Sequence, residues 1–501
     1  MEFRESEIVE AVENCKSIRY RFYRITDDSK LFLNSVITTL LKELKKDFIS
    51  SKLQYIVHEL IDNSYRILLK RLYFKKRKLD INNKKDYETG IQLFASQLWD
   101  EEDELAPYLE TEGYYTDVQF KVDADFLSIL IVNKGLPVEQ EMEKIRYRLN
   151  SAMGMRTIGE ALKRLQDNTE SAGLGTAMII MILRKITNNP PEIEPYIFSV
   201  EQKNNRSIAK VTIALNTLPE KLVEPLSEKI AGEIRTLPVY PENLLELEKM
   251  LAQSDIQFSQ VASVIEKDPA LTAELLKVIN SAQYFLPQKV KTIQNALSLI
   301  GIRGLRNLLL SFGAARIMKK RYGKQQQHWE HSARCAFYAC TIARDYNKMK
   351  LIDDIYMGAI LHDIGEIIIR SVEPSLAETI QKFCVQKGIN GDTIEQLSIG
   401  TSHFKIGASV LRKWNFPEDI CSLIEFVIEP LIAPDNLKEI AAVIYVADQL
   451  AMFHENRISL SSMQPTIFNV FDLKSSESIK SYSQHLQSKY SSMLEKKEYS
   501  L

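Results

Sequence analysis

Cysteine is sparse, long apolar runs are missing and neither charge sign dominates in this sequence of 501 residues. The five cysteines, Cys15, Cys335, Cys340, Cys384 and Cys421, form no C-x-x-C pair. So few, odd in number and scattered, they exclude a disulfide scaffold and read as reduced thiols in a cytoplasmic protein. The longest apolar stretches, around Phe126–Val132 and Ala177–Leu183, fall far short of the roughly 20 residues a membrane span needs. The amino terminus, MEFRESEIVE, has no apolar signal core. Lys+Arg 64 against Asp+Glu 66 leaves a formal charge of −2, which argues against nucleic acid as the partner. The expected location is the cytoplasm, with no membrane span. What is present is core-forming material: 45% hydrophobic and 26% charged residues, over a length that implies two to four domains at about 100–200 residues each.

The two halves read differently. Helical periodicity covers about 30–80, in Leu31, Val36, Leu40, Leu44, Ile56, Leu60, Ile61, Leu68 and Leu72, and a basic run, Lys75–Lys78, closes it as a solvated helix end. A β pattern follows over Asp117–Val122 and Leu127–Val132, turning at Asp123-Ala124-Asp125. Helices are expected over Glu139–Leu149, Thr157–Leu165 and Thr176–Ile186, then strands over Tyr196–Gln202 and Ile208–Leu215. This order predicts an α+β two-layer sandwich. After Leu237-Pro238 strand signals nearly vanish and helix follows helix to about residue 455, as in an all-α domain.

Three short segments of the first half carry chemistry. Glu59 and Asn63 are four apart in a helix, so they share a face. An amide oxygen there can ligate Mg²⁺ and a carboxylate can orient a water. Asn133 and Gly135 end a strand. Gly173-Leu174-Gly175-Thr176 opens a helix, where backbone N–H groups can approach phosphates. The order of these pieces over about 30–217 resembles the GHKL (Bergerat-like) ATPase fold of gyrase-type, histidine-kinase-type and anti-sigma-factor-type domains. The resemblance implies Mg-ATP as ligand. Asn63 would hold Mg²⁺, Glu59 would be the general base, and Gly173, Leu174, Gly175 and Thr176 would line the phosphate lid. Asn133 stands where the family carries an adenine-binding Asp. His58 lies in the nucleotide-site helix itself and reads as a satisfied helix histidine, not a phosphoacceptor.

In the second half, Asp268-Pro269-Ala270-Leu271 is a helix start with Asp as cap and Pro at the first position. Asn280-Ser281, a helix ending at Gly301, Trp329-x-His331-Ser332, Leu361-His362-Asp363-Ile364-Gly365-Glu366, His403 and Trp414-x-x-Pro417 follow in order. This set is similar to the HDOD family, helical relatives of HD-domain phosphohydrolases. The resemblance implies a protein-interaction output domain. It also implies a divalent metal site at His331, His362, Asp363 and Asp448, imidazole and carboxylate donors that leave room for water and a phosphate ester. Glu425–Pro430 stands where cyclic-dinucleotide phosphodiesterases of the HD-GYP type carry further histidines. His328, His454 and His485 have no partner pattern and read as surface or cap residues.

The expected organisation is a helical lead-in at 1–29, a nucleotide-binding domain at 30–217, a linker helix at 218–236, an HDOD domain at 237–455 and a helical tail at 456–501. The expected function is cytoplasmic signal transduction, an ATP-binding module regulating an output domain that engages other signalling proteins. Two enzyme readings stand beside it: a metal-dependent phosphohydrolase using the HD residues, and an ATPase or serine kinase of the anti-sigma type.

Overall fold

The computed structural model describes residues 4–153, 174–187, 189, 192–216, 225–251, 256–280, 289–323 and 326–495. The chain divides into two compact units, Met1–Leu222 and Val223–Leu501.

The first unit is built on a five-stranded antiparallel sheet in the order β1-β2-β3-β5-β4: β1 Ser17–Phe22, β2 Thr116–Val122, β3 Phe126–Lys134, β4 Tyr196–Glu201 and β5 Arg206–Ala214. The β2–β3 turn closes on Asp123, whose carboxylate accepts from the backbone N–H of Asp125 at 3.1 Å and Phe126 at 2.8 Å. The 27-residue helix Ser50–Lys76 packs on β2 and β3. It buries Leu53, Ile56, Leu60, Ile61 and Leu68 at helical spacing, so the apolar stripe read from the sequence is its core face.

The lead-in at 1–29 differs from expectation. It holds one helix, Glu5–Glu13, and then β1, an edge strand paired with β2. Two arginines in Ser17–Phe22 mask the strand in the sequence. Arg21 meets Asp117 directly across the ladder in a bidentate pair at 2.7 and 2.9 Å and stacks over Tyr115. A charged edge strand is thereby satisfied by one buried carboxylate on its neighbour. The helix expected at Thr157–Leu165 lies outside the described residues.

The second unit is helical. Asp268 caps its helix by accepting from Leu271 N–H at 2.9 Å, with Pro269 in the first turn. Gly301 takes φ +69° and interrupts the stretch Ile293–Tyr322, a conformation that favours glycine. The helix Pro225–Thr236, expected as a linker, is instead part of this unit. It packs against the helices Ile364–Val372, Gly391–Ile399 and His403–Lys413. Its last carbonyls are capped by Lys413, whose ammonium donates to the oxygens of Ile234, Arg235 and Leu237 at 2.5–2.9 Å. Buried Trp414 donates to Pro238 O at 3.0 Å, which ties the two spaced motifs Leu237-Pro238 and Trp414-x-x-Pro417 into one contact. The tail helix Ser476–Glu495 docks on Gln326–Asp345, placing Tyr490 against Phe337 and Tyr338, while Arg334 and Tyr338 both donate to Gln487 Oε1.

Candidate functional site

Five helices bring the polar residues of the second unit together. His331 lies on Gln326–Asp345, His362 and Asp363 form the junction between Ile352–Leu361 and Ile364–Val372, Asp448 lies on Asp435–His454, and His403 starts His403–Lys413. The junction is tight because Gly365 touches backbone: a Cβ there would stand 2.0 Å from His403 O and 2.7 Å from Gly407 N.

His331, His362, Asp363 and Asp448 are all buried, and they converge. His331 Nε2 lies 3.1 Å from Asp448 Oδ1 and 3.5 Å from Asp363 Oδ2. His362 Nε2 lies 3.1 Å from Asp363 Oδ1 and 3.4 Å from Asp448 Oδ1, with no hydrogen-bond partner of its own among the described residues. His403 Nε2 approaches Asp363 Oδ1 at 3.5 Å. On the far side each ring is held by an acceptor at Nδ1: Glu455 Oε2 at 2.9 Å for His331, Ala359 O at 2.7 Å for His362, and Glu395 Oε2 at 2.7 Å for His403. That outer hydrogen bond fixes the tautomer and turns each Nε2 inward.

Burial alone would lower the basicity of these imidazoles. The carboxylates override it. Contacts to Asp448, Glu455 and Asp363 push His331 up to about 10, and Glu395 and Asp363 do the same for His403. His362 is raised by Asp363 and Asp448. In return, Asp448 is held well below the usual carboxylate range by its two imidazole neighbours, against the opposing effect of burial.

Behind the cluster, Glu366 accepts from Arg370 Nη2 at 2.7 Å and faces His328 Nδ1 at 3.4 Å. His328 is thus no surface residue. Its partner comes from the His-Asp segment, a pairing without local signature. His454 bonds Ser483 at 2.8 Å and His485 faces Asp345 at 3.4 Å. A cavity of about 60 Å³ opens beside the cluster, lined by Asp363, His403, Asp448, Arg370 and Arg457 among others. Glu395, Glu455, Arg457 and Gly365 shape this site, and of these only Gly365 lay inside a motif.

In the first unit, Glu59 packs directly on Gly175, where a Cβ would come within 1.8 Å of Oε1. Asn63 is exposed one turn further along the same helix and Thr176 is half-buried. Asn133 is buried at the end of β3, between Thr116 of β2 and Ser207 of β5. Gly135 takes φ +112° with Arg71 against it. Leu174 begins the helix Leu174–Ile186, and Gly173 lies outside the described residues. His58 is buried, but its Nε2 finds no partner among the described residues, so it is less satisfied than its helical setting suggests.

A helical bundle closed around buried histidines, a His-Asp doublet and a distant aspartate defines an HD-like domain. Residues 237–430 match the family model of the HDOD domain, and this segment is an HDOD domain. A protein of Treponema pallidum (strain Nichols) named only as uncharacterized is 26% identical over 483 residues, 96% of this chain and 93% of its own length. Similar crystal structures include an HDOD domain protein of unknown function from Geobacter sulfurreducens, 23% identical over 52% of this chain and 97% of that one, TM-score 0.38. Another is a protein provisionally named a phosphohydrolase from Shewanella amazonensis SB2B, 22% identical over 52% of this chain and 93% of that one, TM-score 0.40. No helix among the described residues is long and apolar enough to cross a membrane.

Proposed function

We propose that the C-terminal unit is a signalling output domain that holds a divalent cation in its HD cluster and engages other signalling proteins, under control of a nucleotide-binding N-terminal unit. One observation carries the metal. With Nδ1 committed to an outer acceptor, all three Nε2 atoms face carboxylate oxygens, so each inward nitrogen calls for a cation there, either the proton whose binding those carboxylates strengthen or a metal ion that displaces it. Acceptor against acceptor repels unless a proton or a metal ion lies between them. His331, His362, Asp363 and Asp448 are the donors that would hold the ion. Such an ion supplies Lewis-acid polarisation of a phosphoryl oxygen or of a bound water. The chain's own groups orient it: Glu455 and Glu395 fix the rings of His331 and His403, and burial excludes bulk water. The test is metal analysis of purified full-length protein against His362→Ala. Stoichiometric divalent metal in the parent and its loss in the variant is expected; no retained metal and no binding on titration would end the reading.

A phosphohydrolase is the second reading, favoured by Arg457. Its guanidinium reaches Glu366 and Glu455 only at 3.8 and 3.6 Å and lines the cavity beside Asp363 and Asp448, where it can meet an anion. The cavity's 60 Å³ is far below the roughly 300 Å³ of a ligand-sized pocket, so a nucleotide requires opening. Hydrolysis screens with nucleotides and cyclic dinucleotides decide between the readings, and bound metal without turnover leaves the signalling role.

For the N-terminal unit, a GHKL-like Mg-ATP site is supported by Glu59 against Gly175, by Asn63 on the same helix and by Asn133 and Gly135 at a strand end. Calorimetric titration with Mg-ATP tests it: binding that is lost in Asn63→Ala supports the site, and no binding makes this unit a scaffold. Regulation predicts altered hydrogen-exchange protection of Pro225–Thr236 on nucleotide addition.

A further inference from the structure

Cys335 follows His331 by one helical turn, so both side chains leave the same face of Gln326–Asp345. It is fully buried and free of any disulfide. Its Sγ, a ring nitrogen of His362 and a carboxylate oxygen of Asp448 lie within 4.8 Å of one another. A second triad with the same closeness is His331, His362 and Asp363. The two triads share His362, whose buried Nε2 has no hydrogen-bond partner among the described residues. Two other buried thiols find carbonyls: Cys384 donates to Asn390 O at 3.9 Å and Cys421 to Phe416 O at 3.7 Å. Cys335 makes no such bond among the described residues.

We infer that Cys335 is a further ligand of the HD cluster, its sulfur joining His362 and Asp448 and turning the site toward thiophilic divalent ions such as Zn²⁺. Oxygen-rich sets suit Mg²⁺ and Mn²⁺, whereas one soft thiolate among imidazoles and carboxylates favours Zn²⁺ or Co²⁺. Binding is an acid–base exchange without redox change: the S–H bond breaks, a sulfur–metal bond forms, and the proton leaves to solvent. The inference rests on the metal reading of the cluster.

Co²⁺ titration of metal-stripped full-length protein separates the two. The expected spectrum has visible d–d bands of bound Co²⁺ and a near-ultraviolet thiolate-to-cobalt charge-transfer band. That band is lost in Cys335→Ser and Cys335→Ala, while the d–d bands persist, and it is kept in Cys340→Ser. Bound Co²⁺ without a charge-transfer band in the parent, or a band that survives both Cys335 variants, overturns the thiolate ligand and leaves the metal site standing. No Co²⁺ bands at all overturn both. Should the Cys335 variants not fold, a band kept in each of Cys15→Ser, Cys340→Ser, Cys384→Ser and Cys421→Ser assigns it to Cys335, and a band lost in any one of them overturns the assignment.

Discussion

Gly365 rests against the backbone of His403, so close that a single added methyl would lie 2.0 Å from the carbonyl oxygen. The contact seats the Asp363 helix on the His403 helix and sets the 3.5 Å approach of His403 Nε2 to Asp363. The atoms met are backbone, which cannot rotate away. Gly365→Ala is therefore expected to destabilise the C-terminal unit by about 1–3 kcal/mol, as overpacked core sites do, and to weaken metal binding by moving His403. Denaturant unfolding of the variant measures the first effect. Parent-like stability would show that the helices part at no cost.

Asp448 serves two imidazoles at once, with Gln449 on its other oxygen at 3.2 Å. Asp448→Asn keeps the shape and removes the charge. Leaving two buried imidazoles facing an amide should cost on the order of 3 kcal/mol and abolish metal retention. If the proposed ion is present, chelation lowers the parent's melting temperature, since a ligand that binds only the folded state stabilises it. The same chelator should leave Asp448→Asn unmoved.

His58 predicts an acid-sensitive N-terminal unit. Burial, reinforced by the Lys30 ammonium, lowers this imidazole to about 3 in the folded chain, against about 6.5 when unfolded. Below 6.5 the unfolded chain takes up a proton that the folded chain refuses. The contribution is thus fully present above 6.5 and falls by about 1.4 kcal/mol per pH unit as pH drops toward 3. Urea unfolding of this unit across pH 4–7, beside His58→Leu, reads the slope. The variant's should be shallower, and equal slopes would refute the assignment.

Gly175 sets two effects against each other. An alanine in the helix Leu174–Ile186 gains up to about 1 kcal/mol of helix propensity. Its Cβ would also meet Oε1, Cδ and Cγ of Glu59 at 1.8–2.7 Å. The carboxylate end must swing aside, which a flexible side chain can do. Gly175→Ala is expected to keep stability within about 1 kcal/mol while changing Mg-ATP binding or turnover. A variant with the parent's nucleotide behaviour would remove Glu59 from the proposed site.

What the sequence disclosed follows how local each signal is. Helix caps such as Asp268, the apolar stripe of Ser50–Lys76 and the strands β2 to β5 depend on neighbours a few positions away, and periodicity reports them. The HD residues lie far apart in sequence, yet each sits in a short recognisable segment, and the fold gathers all four. β1 escaped because its arginine is satisfied by Asp117, 96 positions away. Glu455 escaped for the same reason, since it meets His331 across 124 positions. The linker assignment failed at Lys413, whose three carbonyl contacts bind Pro225–Thr236 to its own unit.

The docked C-terminal helix is the far end of a polar chain. Gln487 accepts from Arg334 at 2.9 Å, Arg334 reaches Glu455 at 3.4 Å, and Glu455 holds His331 at 2.9 Å. Peeling that helix away would release the arginine, leave the glutamate freer to turn, and slacken the one bond that aims the imidazole inward. Arg334 and Glu455 thereby link Gln487 of the tail helix to the His331 imidazole, so loss of that helix would reach the cluster through these two side chains.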